Sequence, residues 1–464
     1  MSEKTIVGKI HPDVLRFTAG QDVVLDLNLV EWDCIGTLAH VETLAAVESM
    51  DILDLDGVEA VRDALLGIMR EGRAGTFVIT EADQDVHLAV ERRLTEKLGE
   101  LGRRIHTGRS HNDQVAVDLR LHAREALLQL TLETLACVKD LLDFAQKHEK
   151  LPMVGRTHLQ PAMPSTVGLW ASAYAEGLLD DLHGVDAAYH YNNKCPLGSA
   201  AGYGVPLALN REMTARLLGF DAPIVNVIHA SMTRGKNELM ILSACAQIML
   251  TLSRLAEDLI LFSMPEFAYF KLPSELCTGS SIMPQKQNPD VLELIRAKAA
   301  RVLGHTVSAG GILKALPGGY NRDLQETKAI YFDGVETTRA SLRIMRLLAQ
   351  RLQVNEPRLR DGFSPEVFAT DIALEKVAAG MAFRDAYQFV RDHLNTLRAE
   401  KNMPDEAVAK KTHLGGTANP GWELLTSRVN AREADTQQRL TASHHAFAQL
   451  LGVPYPALAN NKGN

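Results

Sequence analysis

Apolar positions return at helical intervals over long, unbroken stretches of this chain. From Arg109 to Leu151 there is neither Gly nor Pro, and Val117, Leu121, Leu128, Leu132, Leu135 and Leu142 recur at helix spacing. A helix over most of that window is roughly 50–60 Å long at 1.5 Å per residue. A second window runs from Lys236 to Met264, with Leu239, Leu242, Ala246, Met249, Leu252, Ala256 and Leu259 on one side. Gly235 and Pro265 bracket it as start and stop. A third begins at Pro289 and carries Val291, Leu294, Ile295, Lys298 and Val302 as far as Gly304. Thr166–Asp181 also reads as helical, and strand-like alternation is confined to short pieces such as Thr76–Thr80.

Helices of this length cannot hide an apolar stripe against one short neighbour; they need each other, or other subunits. The expected fold is therefore mainly α, built on a long central helical bundle that oligomerises. Three regions are expected: a mixed N-terminal region (1–109), the long-helix bundle (110–354), and a smaller helical region (355–464) with breaks at Gly415-Gly416 and Pro420. No period of 20–50 residues and no low-complexity tract interrupts the pattern.

Composition narrows the function classes. Hydrophobic residues make up 46% of the 464, charged residues 23% and aromatics 5%, which excludes a largely disordered chain and suits packed helices. The formal charge of −8 argues against a duplex nucleic-acid partner. Cys34, Cys137, Cys195, Cys245 and Cys277 lie far apart, without a Cys-x-x-Cys pair. They read as free thiols in a reducing compartment, and neither His nor Cys shows metal-ligand spacing. With no apolar leader after Met1 and no uncharged run approaching ~20 residues, the expectation is a soluble cytoplasmic protein without a membrane partner or a metal.

Four loops carry candidate chemistry. Gly279-Ser280-Ser281-Ile282-Met283-Pro284-Gln285-Lys286-Gln287-Asn288-Pro289 gathers two hydroxyls, one cation and a helix start. That set suits a carboxylate on which charge develops; the plainer reading is a Ser-rich cap with a solvated lysine. Gly155-Arg156-Thr157-His158-Leu159-Gln160-Pro161 offers His158 as a proton donor or acceptor, although one histidine among sixteen says little alone. Thr107-Gly108-Arg109-Ser110-His111-Asn112-Asp113-Gln114 heads the longest window. There Ser110 or Asn112 either caps the helix or helps grip a second carboxylate. Leu316–Lys328 is a turn running into a polar segment with Tyr320, Gln325 and Lys328. The glycine-rich run Gly198–Gly204 lacks the strand and the Gly-Lys-Ser/Thr ending of a phosphate loop.

These four loops, in this order, resemble the aspartase/fumarase superfamily and, within it, the argininosuccinate lyases. Asp33–His40 is similar to the family's early helix, and Phe363-Ser364-Pro365 with Ala369-Thr370-Asp371 to its late segment. The resemblance implies a three-domain fold with a twenty-helix core in a homotetramer, each active site assembled from three subunits. It also implies cofactor-free cleavage of argininosuccinate, the small-molecule substrate, into arginine and fumarate. By the same resemblance Ser280 is the base. Lys286 and Asn288 stabilise the aci-carboxylate, His158 is associated with protonating the departing nitrogen, and Glu293 is its carboxylate partner. Ser110, His111, Asn112, Thr157 and Gln160 fall at substrate-contact positions, and Tyr320, Gln325 and Lys328 near the arginine part.

Three departures bear on the substrate. The family's Arg-Ser-Arg-Asn-Asp-Gln cluster has His111 as its third residue here, and histidine cannot fork onto a carboxylate or stay charged at all pH values. An acidic triplet is replaced by Thr233-Arg234-Gly235, and the usual Trp-Gly-Gly-Arg-Phe segment is missing. Two other readings stay open: a fumarate-releasing lyase acting on another N-substituted aspartate, and a non-catalytic, crystallin-like structural tetramer.

Overall fold

The computed structural model describes residues 4–5, 8–48, 52–398 and 403–458. Its helices are α1 (Pro12–Ala19), α2 (Val30–Ala45), α3 (Leu55–Arg73), α4 (Val86–Leu98) and α5 (His111–Lys147). A hairpin follows, β1 (Pro152–Thr157) and β2 (Gln160–Thr166), then α6 (Val167–Asn192), α7 (Lys236–Ser263), α8 (Asp290–Leu313) and α9 (Thr327–Arg351). Near the C-terminus come α10 (Ala369–Ala378), α11 (Phe383–Asp392) and α12 (Trp422–Leu451). The fold is mainly α, as the hydrophobic pattern requires; among the described residues the strands pair only two at a time.

The long windows become long helices for the reasons read in the sequence. α5 has 37 residues, about 55 Å of rod, and Val117, Leu121, Leu128, Leu135 and Leu142 are buried along it. Its start is fixed by a reciprocal cap: the Ser110 hydroxyl accepts from Asn112 N at 3.3 Å, and Ser110 N donates to Asp113 Oδ1 at 2.9 Å. α8 does not stop at Gly304 but runs on to Leu313. A glycine inside a helix costs only about 1 kcal/mol, too little to end a helix packed along α7. Extended Thr76–Thr80 has no ladder partner. Its alternation is real, with Phe77 and Ile79 buried and Val78 exposed, but the buried side packs against helices.

Direction matters more than count. α5 and α6 run antiparallel: Gly168, at the start of α6, lies so close to the end of α5 that a Cβ there would sit 2.5 Å from Glu149 Cα. At their other ends Arg120 Nη1 donates to Asn192 O at 2.7 Å, and Asn192 Nδ2 returns a bond to Arg120 O at 2.7 Å. α7 starts beside the end of α6, where Asn237 Nδ2 meets Asn192 Oδ1 at 2.7 Å. α8 returns antiparallel along α7, tied by Arg296 to Glu257 at 2.5 Å. α9 runs with α5, through Arg339–Glu133 at 2.8 Å and Arg346–Asp140 at 2.7 Å. At Gly334 it approaches α7 so closely that a Cβ would lie 2.3 Å from Leu242 Cδ2. One end of the bundle therefore holds the starts of α5, α7 and α9. The other holds their ends, the β1–β2 hairpin and the start of α8.

α7 is long and apolar enough to cross a membrane by composition, but it packs against α6, α8 and α9 and its Leu242, Met249, Leu252 and Leu259 are buried. α12 comes back from the C-terminus to lie on α5, with Lys139 bonded to Glu433 at 2.7 Å. α10 and α11 close a small separate core of Ala373, Ala386 and Val390. On α8, Leu294, Leu303 and Val307 stay exposed, Val307 at 70%. They leave apolar surface exposed on a core helix.

Candidate active site

At the end where α5, α7 and α9 begin lies a cavity of about 310 Å³. It collects His111 and Asn112 from the first turn of α5, Tyr320, Gln325 and Lys328 from the segment entering α9, and Arg234 from the turn before α7. Two of the four loops singled out in the sequence therefore meet here, joined by the Thr233-Arg234-Gly235 departure. Thr18, Asp22, Gln84, Asp85 and Arg322 complete most of the lining. Sequence spacing gave no sign of Thr18, Asp22, Gln84 and Asp85, which come from other segments, whereas Arg322 lies within the Leu316–Lys328 segment.

Charge in this cavity is unevenly available. Lys328 Nζ is 2.5 Å from Asp26 Oδ1 and 3.0 Å from Asp22 Oδ2, with its side chain 1% exposed. Its ammonium is already committed, so its contribution to the site is to anchor α9 to the segment after α1. Arg234 is the contrasting cation. It is buried, its Nη1 reaches Tyr320 OH at 3.5 Å, its guanidinium faces the Tyr320 ring, and its Nε has no protein partner. Gln325 Nε2 and Arg322 Nη2 both donate to Thr18 O, at 2.9 and 2.8 Å. The segment ending α1 thus borders the cavity in a chain that lacks the family's usual N-terminal motif.

His111 stands against His87 and His106, ring centroids 5.9 and 5.6 Å away, with Asp85 Oδ2 3.8 Å from its Nδ1. Burial pushes its pKa down, the charge of His87 adds to this, and Asp85 opposes it. At neutral pH it presents a neutral ring where the family's arginine would present a fixed charge. His87 behaves oppositely. Burial lowers it, but Asp85, Asp33 and Asp118 outweigh that and hold the imidazolium up to about 9.

Asp33, His87 and Asp118 form, among the described residues, a group whose donors could hold a metal ion. They come from three different helices, so metal-ligand spacing in the sequence could not reveal them. Two features favour an ion-pair network instead: His87 Nδ1 lies 2.7 Å from Asp33 Oδ2, a charge-assisted hydrogen-bond distance, and buried Arg109 supplies a positive charge to both aspartates. The glycine-rich run also finds its role here, since Gly198 N and Ala200 N donate to Asp113 Oδ2 at 3.1 and 2.9 Å. It buttresses the start of α5.

The other candidates sit at the opposite end. Ser280 Oγ accepts from Met283 N at 3.1 Å and from Ile282 N at 3.3 Å. The loop is pinched shut by Thr278 and Asn288, which exchange backbone bonds of 3.2 and 2.8 Å, and Asn288 Nδ2 donates to Gly279 O at 3.4 Å. Pro289 caps α8 rather than beginning it, and Glu293 lies exposed in the first turn. Lys286 is exposed and has no ion-pair partner among the described residues. Thr157, His158, Leu159 and Gln160 form the exposed tip of the β1–β2 hairpin, with His158 edging a second cavity of about 460 Å³. No hydrogen bond joins His158 to Glu293 or Ser280 among the described residues.

Comparison with known proteins decides the family. A model of the lyase family matches residues 22–304. An argininosuccinate lyase from Phocaeicola vulgatus is 41% identical over 446 residues, 96% of this chain and 98% of that protein. One from Sorangium cellulosum is 42% identical over 427 residues, 91% of this chain and 97% of that protein. The chain belongs to the argininosuccinate lyase family. The fold agrees: the crystal structure of an EDDS lyase in complex with formate superposes with a TM-score of 0.80 at 23% identity, covering 97% of this chain and 96% of that one. This family member is an enzyme of the lyase class, with the mainly α superfamily fold that the bundle displays.

Proposed function

We propose that the chain cleaves L-argininosuccinate into L-arginine and fumarate, without a cofactor, as a step of arginine biosynthesis. The observation that carries the reading is the Ser280 hydroxyl, which accepts two backbone N–H bonds. A serine is a weak base at its ordinary pKa, and two aligned amide donors are what an alkoxide needs. Ser280 then removes the proton next to the substrate carboxylate, and the electron pair moves into that carboxylate as an aci-acid held by Lys286 and Asn288. Collapse re-forms the carboxylate, makes the C=C bond of fumarate and breaks the C–N bond. The departing guanidinium nitrogen takes a proton from the His158 side, with Glu293 as the carboxylate that orients the imidazole.

Within one chain, Ser280 and His111 lie at opposite ends of a bundle about 55 Å long, several times the length of any small substrate. A site uniting them takes its parts from different copies. This supports a homotetramer with shared sites, in which Ser110, Asn112, Thr157 and Gln160 contact substrate, Tyr320, Gln325 and Lys328 border the arginine part, and the chain divides at 109/110 and 354/355. Five cysteines without disulfides suit a cytoplasmic setting.

A second reading, release of fumarate from another N-substituted aspartate, is favoured by the neutral His111 ring at a position where arginine would fork onto a carboxylate. Incubating the purified protein with argininosuccinate and following fumarate absorbance separates the two. No fumarate at saturating substrate would sink the first reading, and release from a different aminosuccinate would establish the second.

A further inference from the structure

The β1–β2 hairpin turns in two residues, since Thr157 pairs with Gln160. His158 has φ +54° and Leu159 φ +61°, the paired left-handed geometry of a tight hairpin turn. That geometry favours Asn-Gly. Neither His nor Leu suits it, and left-handed backbone costs roughly 1–2 kcal/mol per such residue. The tip is also exposed, Leu159 at 73%, so side-chain burial does not hold it. Something else must keep His158 in place.

Arg156 occupies the position that can do so. It follows a register shift at Gly155/Arg156, and its Nη1 donates to Leu159 O at 3.1 Å. The other arm reaches Tyr269 OH at 3.5 Å, and the guanidinium faces the Phe267 ring with its carbon 4.8 Å from the centroid. Tyr269 is itself 3% exposed and fixed by backbone bonds from its N to Phe262 O and from Asn355 N to its O, both 2.9 Å. The path runs from the strained turn, through one planar cation, to a rigid aromatic wall between α7 and α8.

We propose that Arg156 is a positioning residue for His158: its guanidinium ties the turn to the Phe267–Tyr269 wall and so fixes the direction in which the imidazole is offered to the leaving group. This rests on the reading of His158 given above. Arg156 touches neither the substrate nor the imidazole; its planar fork bonds Leu159 O and Tyr269 OH at once while stacking on Phe267, which an ammonium cannot do.

The test compares Arg156→Met, Arg156→Lys and His158→Asn in the full-length protein, with oligomeric state checked by size-exclusion chromatography. Arg156→Met is expected to lower kcat by about 10- to 100-fold, the effect of misplacing a group by about 1 Å, with KM nearly unchanged. Added guanidinium is expected to restore part of its turnover while failing to raise that of wild type or of His158→Asn. Arg156→Lys, which keeps the charge and the aliphatic stem, covers the case in which the methionine variant does not fold. It is expected to lose kcat too, because the ammonium lacks the planar fork and its stacking on Phe267, and to be insensitive to guanidinium. Wild-type kcat in either Arg156 variant beside an inactive His158→Asn overturns the positioning role alone. So does a loss of kcat in Arg156→Met that guanidinium leaves untouched. Full turnover in His158→Asn overturns the reading of His158, and the positioning role falls with it.

Discussion

At the end of the bundle where α5, α7 and α9 begin, most ionisable groups are buried and paired within the chain, with Arg234 Nε left without a partner. Lys328 has two aspartates, His87 has Asp33 and Asp118, and Asp113 has three backbone donors. At the other end the reactive candidates stand in the open, with Lys286 and Glu293 exposed and His158 on a strained tip. The first end folds as a finished piece. The second, on the proposed function, is one part of a site shared with other copies. Substitutions should therefore read out differently at the two ends, as stability at one and as turnover at the other.

The sharpest separation comes from Ser280→Ala. Loss of the base is expected to cut kcat by about 10²–10⁴-fold with the unfolding midpoint and the oligomer unchanged, measured by fumarate absorbance and denaturant titration. Undiminished turnover would remove Ser280 from its role. Lys328→Ala is its mirror. It strands Asp26 and Asp22 with buried charge and should cost about 3–5 kcal/mol of stability in urea unfolding. A loss below about 1 kcal/mol would mean the two aspartates are satisfied otherwise.

His111→Arg probes the boundary between the two behaviours. His111 is held neutral by burial and by neighbouring His87, so wild-type affinity for a carboxylate should weaken as pH rises and the last protonated fraction is lost. A permanent guanidinium should lower KM about tenfold near pH 8, worth one charge-assisted hydrogen bond, and flatten its pH dependence. A higher KM would show the cavity is tuned to the imidazole. Least affected should be Arg428→Ala, which loses exposed pairs with Glu176 and Asp180. A shift of about 0.2–1 kcal/mol in unfolding free energy is expected, and a larger one would reveal a role for the α6–α12 surface.

The bundle was legible because helix spacing is a local property. Gly and Pro brackets placed α7 within one residue at each end, and Ser110 was one of two residues offered as the cap of α5; its partner Asp113 was not foreseen. The hairpin was missed because Pro161 and Pro164 disguise a strand, and its tip uses residues that tight turns seldom carry. At the site, the motif residues were legible through resemblance, but Thr18, Asp22, Gln84 and Asp85 were not. They reach the cavity from segments far in sequence from the motif residues they join, which no spacing encodes. The commitment of Lys328 to Asp22 and Asp26 was equally invisible, since a lysine in a polar segment looks the same free or buried.

The length of α5 has one more consequence. Physiological salt screens fields over about 8 Å, and the rod is about 55 Å long. A proton gained or lost beside His111 is therefore silent at the hairpin of the same chain. On the proposed function, the two termini of this spacer can be retuned independently, one for which amine leaves and the other for how the proton moves. News passes between them only as movement of the rod itself.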